Sequence, residues 1–215
     1  MIDGLVFDLD GTLLNTLEGH AQSFNRALAR LDMPVHAVDD YRYFIGDGAK
    51  TCAVRALPTS RSNLADQCVD YFKEDYAETW HETTFPFPGI DELLTTLVQQ
   101  DIALAVLSNK DDVFTQQMIL QCFPGIHFAC VAGYGFKDVV KHKPDKSGPL
   151  LIAETLKANL NRLFMIGDTA TDMATAIASG MTPVGVLWGF RGKQELVDAG
   201  AMHLIASPDE LLKLL

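Results

Sequence analysis

A chain of 215 residues is long enough for one domain, or one domain with a sizeable insertion, and its 48% hydrophobic content supplies an ample core. Lys and Arg total 17 against 28 Asp and Glu, a formal net charge of −11. That argues against nucleic acid or a membrane surface as the main partner, since both require a basic face, but it leaves room for a small anionic substrate. Cys52, Cys68, Cys122 and Cys130 show neither a C-x-x-C pair nor metal-finger spacing, and read as reduced, mostly buried thiols. With no basic leader and no long apolar span, the expectation is a soluble, cytoplasmic protein.

The first predicted element is Leu5-Val6-Phe7, an apolar run of the kind that is buried on both faces of a parallel sheet. It stops abruptly at Asp8-Leu9-Asp10-Gly11-Thr12. Residues two apart in extended chain point the same way, so Asp8 and Asp10 face one cleft. Like charges held that close are relieved by a cation or a shared proton, and a hard dication with oxygen ligands suits the pair. The plainer alternative is a strand followed by an acidic turn.

From residue 15 to residue 84 the periodicity is helical. Leu17, Ala21, Phe24, Leu28 and Leu31 mark a first helix, stopped by Pro34. A second segment spans residues 41–57 and contains Ile45-Gly46-Asp47-Gly48; a third carries Leu64, Cys68, Phe72, Tyr76 and Trp80. Phe85-Pro86-Phe87-Pro88-Gly89 closes the block. Beyond it helices are predicted at 91–100, 112–122, 148–159, 171–179, 193–199 and 209–215. Strands are predicted at 102–107, 127–132, 163–166, 182–188 and 203–205. Gly180 is placed to cap the fourth of those helices. The alternation predicts an α/β fold: a Rossmann-like doubly wound parallel sheet core, residues 1–14 and 85–215, with an inserted all-helical cap domain, residues 15–84.

Ligands of such sheets bind at the carboxyl ends of the strands. Besides Asp8 and Asp10, three segments bring polar groups there. Ser108-Asn109 follows the strand at 102–107, though either residue also suits a helix N-cap. Lys143 lies in Lys141-His142-Lys143-Pro144, a loop where an isolated lysine is ordinarily just solvated. Asp168 ends the strand at 163–166, and Asp172 stands one helical turn on, on the same face; Asp168 also suits an N-cap. Taken together they provide carboxylates for a cation and a nucleophile, and donors for an anion, which suits phosphoryl transfer through an aspartyl-phosphate.

Asp8-Leu9-Asp10-Gly11-Thr12, Ser108-Asn109, Lys143-Pro144 and Gly167-Asp168-x-x-x-Asp172 resemble, in order and spacing, the four motifs of the haloacid dehalogenase-like hydrolases. The resemblance covers essentially the whole chain and implies a Mg²⁺-dependent phosphatase. It implies Asp8 as nucleophile and Asp10 as acid and base. The metal would be held by Asp8, the backbone carbonyl of Asp10, and Asp168. Ser108, Asn109 and Lys143 would bind phosphate, with Thr12 and Asp172 in support. The dehalogenases themselves generally lack the second aspartate of the first motif, so Asp10 points to phosphate chemistry.

Residues 41–49 and 54–57, with Leu107-Ser108-Asn109-Lys110, resemble phosphoglycolate phosphatases. That makes 2-phosphoglycolate the expected substrate, with Lys50 and Arg55 as candidates for its carboxylate. Residues 136–142 match nothing in that pattern. A pyrophosphatase, nucleotidase, sugar-phosphate phosphatase or phosphomutase on the same core stays open, as does a non-catalytic binding protein. The expected partner is a small phosphorylated metabolite, and the choice between monomer and homodimer is left open.

Overall fold

The structure, a computed structural model, describes residues 2–215. Its strands are β1 (Gly4–Phe7), β2 (Leu14–Asn15), β3 (Phe85–Pro86), β4 (Ala103–Asp111), β5 (Cys130–Tyr134), β6 (Leu163–Gly167), β7 (Thr182–Val186) and β8 (His203–Ile205). Its α-helices are α1 (Leu17–Arg30), α2 (Tyr41–Phe44), α3 (Ala49–Ala56), α4 (Ala65–Thr79), α5 (Ile90–Gln99), α6 (Asp112–Cys122), α7 (Ser147–Leu156), α8 (Ala170–Ser179) and α9 (Lys193–Asp198).

Six strands form one sheet in the order β5-β4-β1-β6-β7-β8, every neighbouring pair parallel. β1 lies inside it, all four residues buried, which is why its sequence is an unbroken apolar run instead of an alternating one. Phe7 pairs with Val106 of β4 on one side and with Ile166 of β6 on the other. The chain moves outward from β1 through β4 to β5, then returns to β6 on the opposite side of β1. This is the Rossmann-like, doubly wound order, and such a reversal opens a crevice outside the strand ends beside β1. Beneath it, Val6, Leu107, Ala132, Ile152, Leu163 and Met165 belong to one buried apolar cluster.

The chain divides into two compact units, one from the N-terminus to Leu14 together with Pro86–Leu215, the other Asn15–Phe85. β2 and β3, where the chain passes from one unit to the other, pair as a two-stranded sheet. In the helical unit, α1 packs on α4 through Phe24 stacked on Phe72, with ring centroids 3.9 Å apart, and through His20 against Tyr76.

Several local expectations are corrected. The first helix ends at Arg30, short of Pro34, because Asp32 turns left-handed at φ 56° and the Met33 N–H returns to the Leu28 carbonyl. The strand expected at 127–132 lies at Cys130–Tyr134, since the chain first meets the β4 ladder where the Ala129 N–H reaches the Leu104 carbonyl. β4 runs four residues past Leu107, with a register shift against β5. The last helix is a 3₁₀ helix, Pro208–Leu214. The four cysteines are free thiols, and no helix of the described residues is long and apolar enough to cross a membrane.

Candidate active site

Asp8 follows the last residue of β1, and its backbone N–H is tied to the Ile166 carbonyl at 2.9 Å. Gly11 then takes φ +86°, open to glycine at little cost, and lets the Gly11 N–H reach back to the Leu14 carbonyl. On the far side of the crevice Asp168 follows β6 and is fully buried. Its Oδ2 accepts the Phe190 N–H at 2.7 Å, and the Thr12 hydroxyl lies 3.4 Å from its Oδ1. Trp188 fixes the Thr12 turn by donating its indole N–H to the Thr12 carbonyl at 3.0 Å.

Asp172 is not a loose carboxylate one turn into α8. It forms a capping box with Thr169, whose N–H and hydroxyl donate to Asp172 Oδ2 at 3.0 and 2.7 Å. Thr169, not Asp168, is therefore the N-cap. The other Asp172 oxygen accepts from Lys143 Nζ at 2.6 Å, and the same ammonium lies 2.7 Å from Asp8 Oδ1. Lys143 is thus a buried bridge between two carboxylates. Asn109 holds the loop that carries it, accepting the Lys143 N–H at 2.6 Å. The neighbouring His142 stacks flat on Tyr134, centroids 3.8 Å apart. Ser108 is 2% exposed and its Oγ accepts the Lys110 N–H at 3.2 Å; the N-cap of α6 is Asp111, so neither Ser108 nor Asn109 caps that helix.

Burial, and then the charge of Asp172, push Asp8 well above the ordinary carboxylate range despite Lys143 beside it. Burial followed by Asp172 pushes Asp168 up to about 7, against the pull of the Phe190 N–H and Arg191. Burial works to discharge Lys143, but Asp172 and Asp8 together outweigh it and keep it cationic. Asp8, Asp168 and Asp172 each bring a ligand oxygen within 4.8 Å of the others. Ionised together, Asp8, Asp10, Asp168 and Asp172 outnumber the cations beside them, Lys143, Lys110 and Arg191, which leaves the group short of positive charge. A hard dication fits that deficit and that all-oxygen donor set. Asp172 is engaged by the Lys143 ammonium and by Thr169, whereas Asp168 meets the Phe190 N–H and, more loosely, the Thr12 hydroxyl.

Residues outside the expected set also shape the site. Lys110, 9% exposed, places Nζ 3.3 Å from Asp10 Oδ1. Gly189 lies so close that a methyl group there would collide with Asp168 Cβ and the Gly11 carbonyl. Neither can yield without moving the crevice wall. We expect Gly189→Ala to cost about 1–3 kcal/mol of stability from overpacking and most of the activity. Thermal unfolding and turnover of the purified variant check both. In the helical unit, Lys50 pairs with Asp66 at 2.7 Å; Arg55 pairs with Asp47 at 2.5 Å and donates to the Phe44 carbonyl.

A doubly wound sheet with buried carboxylates and a buried lysine gathered at its switch point defines an α/β enzyme acting on a charged substrate. The family model of the haloacid dehalogenase-like hydrolases matches residues 5–186, and the chain belongs to that family. It is accordingly an enzyme of the hydrolase class, and its curated relatives are phosphatases by name. The phosphoglycolate phosphatase of Pseudomonas putida is 29% identical over 98% of this chain and 78% of its own. That of Escherichia coli is 30% identical over 88% of this chain and 82% of its own. A solved structure from Lactobacillus delbrueckii subsp. bulgaricus, itself only provisionally assigned as a phosphoglycolate phosphatase, superposes with a TM-score of 0.93 at 26% identity, covering 100% and 98% of the two chains.

Proposed function

We propose that this chain is a Mg²⁺-dependent phosphatase that hydrolyses a small phosphomonoester through an aspartyl-phosphate on Asp8, with 2-phosphoglycolate as its substrate. The observation that carries the reading is the buried Lys143 ammonium held between Asp8 and Asp172 at the switch point. It sets a fixed positive charge beside the atom that must meet an anion.

In this reading an Asp8 carboxylate oxygen attacks phosphorus and the ester P–O bond breaks. Asp10 gives its proton to the departing oxygen, then takes one from the water that attacks phospho-Asp8, which returns Asp8 and releases phosphate. Lys143 and the Ser108 hydroxyl hold the phosphoryl oxygens; Asn109 acts through the backbone it fixes at Lys143. Asp172 orients Lys143, and Thr12 orients Asp168. Asp8 and Asp168, with the Asp10 backbone carbonyl, would hold Mg²⁺, which would supply the charge that lets an anionic nucleophile approach an anionic phosphate.

Residues 15–84 are assigned to substrate choice, as a cap domain to the catalytic core of 1–14 and 85–215. The ion pairs of Lys50 and Arg55 are exposed, with side-chain exposures of 67% and 36%. Exposed pairs are worth only about 0–1 kcal/mol, so either cation can exchange its partner for a substrate carboxylate at little cost. Four free thiols fit a reducing, cytoplasmic setting.

Phosphate release from a panel of small phosphoesters and pyrophosphate, with Mg²⁺ and with a chelator, tests the reading. The expected result is metal-dependent release with a strong preference for 2-phosphoglycolate. Broad weak activity keeps the phosphatase and discards the substrate. Silence on every member favours a phosphomutase or a binding role.

A further inference from the structure

Two buried lysines stand at the switch point, and the reading above uses only one. Lys143 is committed to Asp8 and Asp172. Lys110 turns to Asp10 instead, its ammonium 3.3 Å from Asp10 Oδ1, with side-chain exposures of 5% and 10%. Lysine is almost never buried unless paired, so a lysine enclosed this far marks a pair built for that place.

Topology brings the two together. β1 and β4 are parallel neighbours in register at Phe7 and Val106, and both chains continue past that pair towards the crevice. Asp10 lies three residues further along one, Lys110 four residues further along the other. The continuation of β4 to Asp111 carries Lys110 this far in ordered backbone. Thr115 then anchors the turn into α6, its hydroxyl donating to the Lys110 and Asp111 carbonyls at 3.3 and 3.1 Å. The Lys110 N–H meanwhile donates to Ser108 Oγ, which leaves that hydroxyl's own proton to point elsewhere.

We propose that Lys110 is a positioning residue for Asp10: its ammonium holds one oxygen of the Asp10 carboxyl group, so that the other, carrying the proton, faces the leaving oxygen. The proposal rests on the acid/base role given to Asp10 above. A carboxylate on two freely turning bonds loses most of its effect when its oxygen strays by an ångström, and fixing one oxygen removes that freedom. Lys143 has the separate task of meeting the phosphoryl group, so the two lysines divide nucleophile and proton donor between them.

The test compares two esters on the full chain with Mg²⁺. 4-Nitrophenyl phosphate releases a phenolate that needs no proton, whereas 2-phosphoglycolate releases an alkoxide that does. Lys110→Met keeps the unbranched stem but for its last atom and removes the charge; circular dichroism checks its fold, and Lys110→Gln replaces it if it fails to fold. The expected result is a fall in kcat/KM of about 10²–10³-fold on 2-phosphoglycolate and less than about tenfold on 4-nitrophenyl phosphate. Lys110→Arg should recover part of the loss, and the Asp10→Asn/Lys110→Met pair should be no slower on 2-phosphoglycolate than Asp10→Asn alone.

Equal losses on both esters, an additive double variant, or a raised KM at unchanged kcat would overturn the proposal, the last making Lys110 a substrate ligand. The Asp10→Asn variant separates the two readings. If it matches the wild type on 2-phosphoglycolate, the acid/base role falls and takes this inference with it. If it loses that activity while Lys110→Met does not, only Lys110 is wrongly placed.

Discussion

Asp8→Asn removes phosphate release, by roughly 10⁴-fold or more, a barrier increase of about 5 kcal/mol, while the metal-free fold survives at equal or higher stability. The first half follows from the proposed chemistry: a carboxamide has neither the charge nor the nucleophilicity to attack phosphorus. The second half follows from where the side chain lies. Asp8 is 5% exposed, and burial together with Asp172 pushes its carboxyl well above the ordinary range. Asparagine keeps the shape and an oxygen for Lys143 but removes one of several crowded negative charges. Turnover and unfolding therefore move in opposite directions, a signature that general damage to the fold does not give. Phosphate release and thermal unfolding in chelator measure the two, with mass spectrometry to exclude deamidation back to aspartate. Normal turnover by an intact Asp8→Asn variant would remove Asp8 as nucleophile.

The parts of this molecule legible in the sequence are those that local chemistry dictates. β1 and β6 announce themselves as apolar runs cut off by carboxylates, because strands buried on both faces have no polar position to spare. Gly180 ends α8 in the left-handed conformation that glycine adopts readily. Even the Thr169–Asp172 capping box has its own short pattern, although the residue just before it, Asp168, is as good an N-cap by type. What was not legible depends on approach across the fold. Lys110 closes the stretch Leu107-Ser108-Asn109-Lys110, and nothing local assigns it a partner until β4 is seen to continue to Asp111. Gly189 and Phe190 lie about twenty residues beyond Asp168, and nothing local says that their backbone closes over its carboxylate. Asn109 suits a phosphate ligand by type, but nothing local says that its Oδ1 also accepts the backbone N–H of Lys143, a partner thirty-four residues away.

Mg²⁺ should raise the unfolding temperature strongly at pH 8 and little at pH 5. Without metal, Asp168 is pushed up to about 7 by burial and by Asp172, and Asp8 is raised as well. In the unfolded chain such carboxyls titrate near 4. Between these limits the folded, metal-free protein binds more protons than the unfolded chain, so its stability falls as pH rises from about 4 to about 7. For Asp168 alone a shift of this size corresponds to at most about 4 kcal/mol, on the order of 10 °C in a domain of this length. A dication favours the ionised carboxylates and offsets that loss where it is largest, at pH 8. At pH 5 it must first displace protons and gains little. Unfolding curves at pH 5, 6, 7 and 8, each with Mg²⁺ or chelator, read this directly, and Asp168→Asn isolates the contribution because it removes the titrating group while keeping an acceptor for the Phe190 N–H. The wild type in chelator should lose stability against Asp168→Asn as pH rises, and Mg²⁺ should close the gap. A gap that stays flat with pH would mean that Asp168 is not protonated in the metal-free fold, and one that Mg²⁺ leaves open would mean that it is not a ligand in the loaded one.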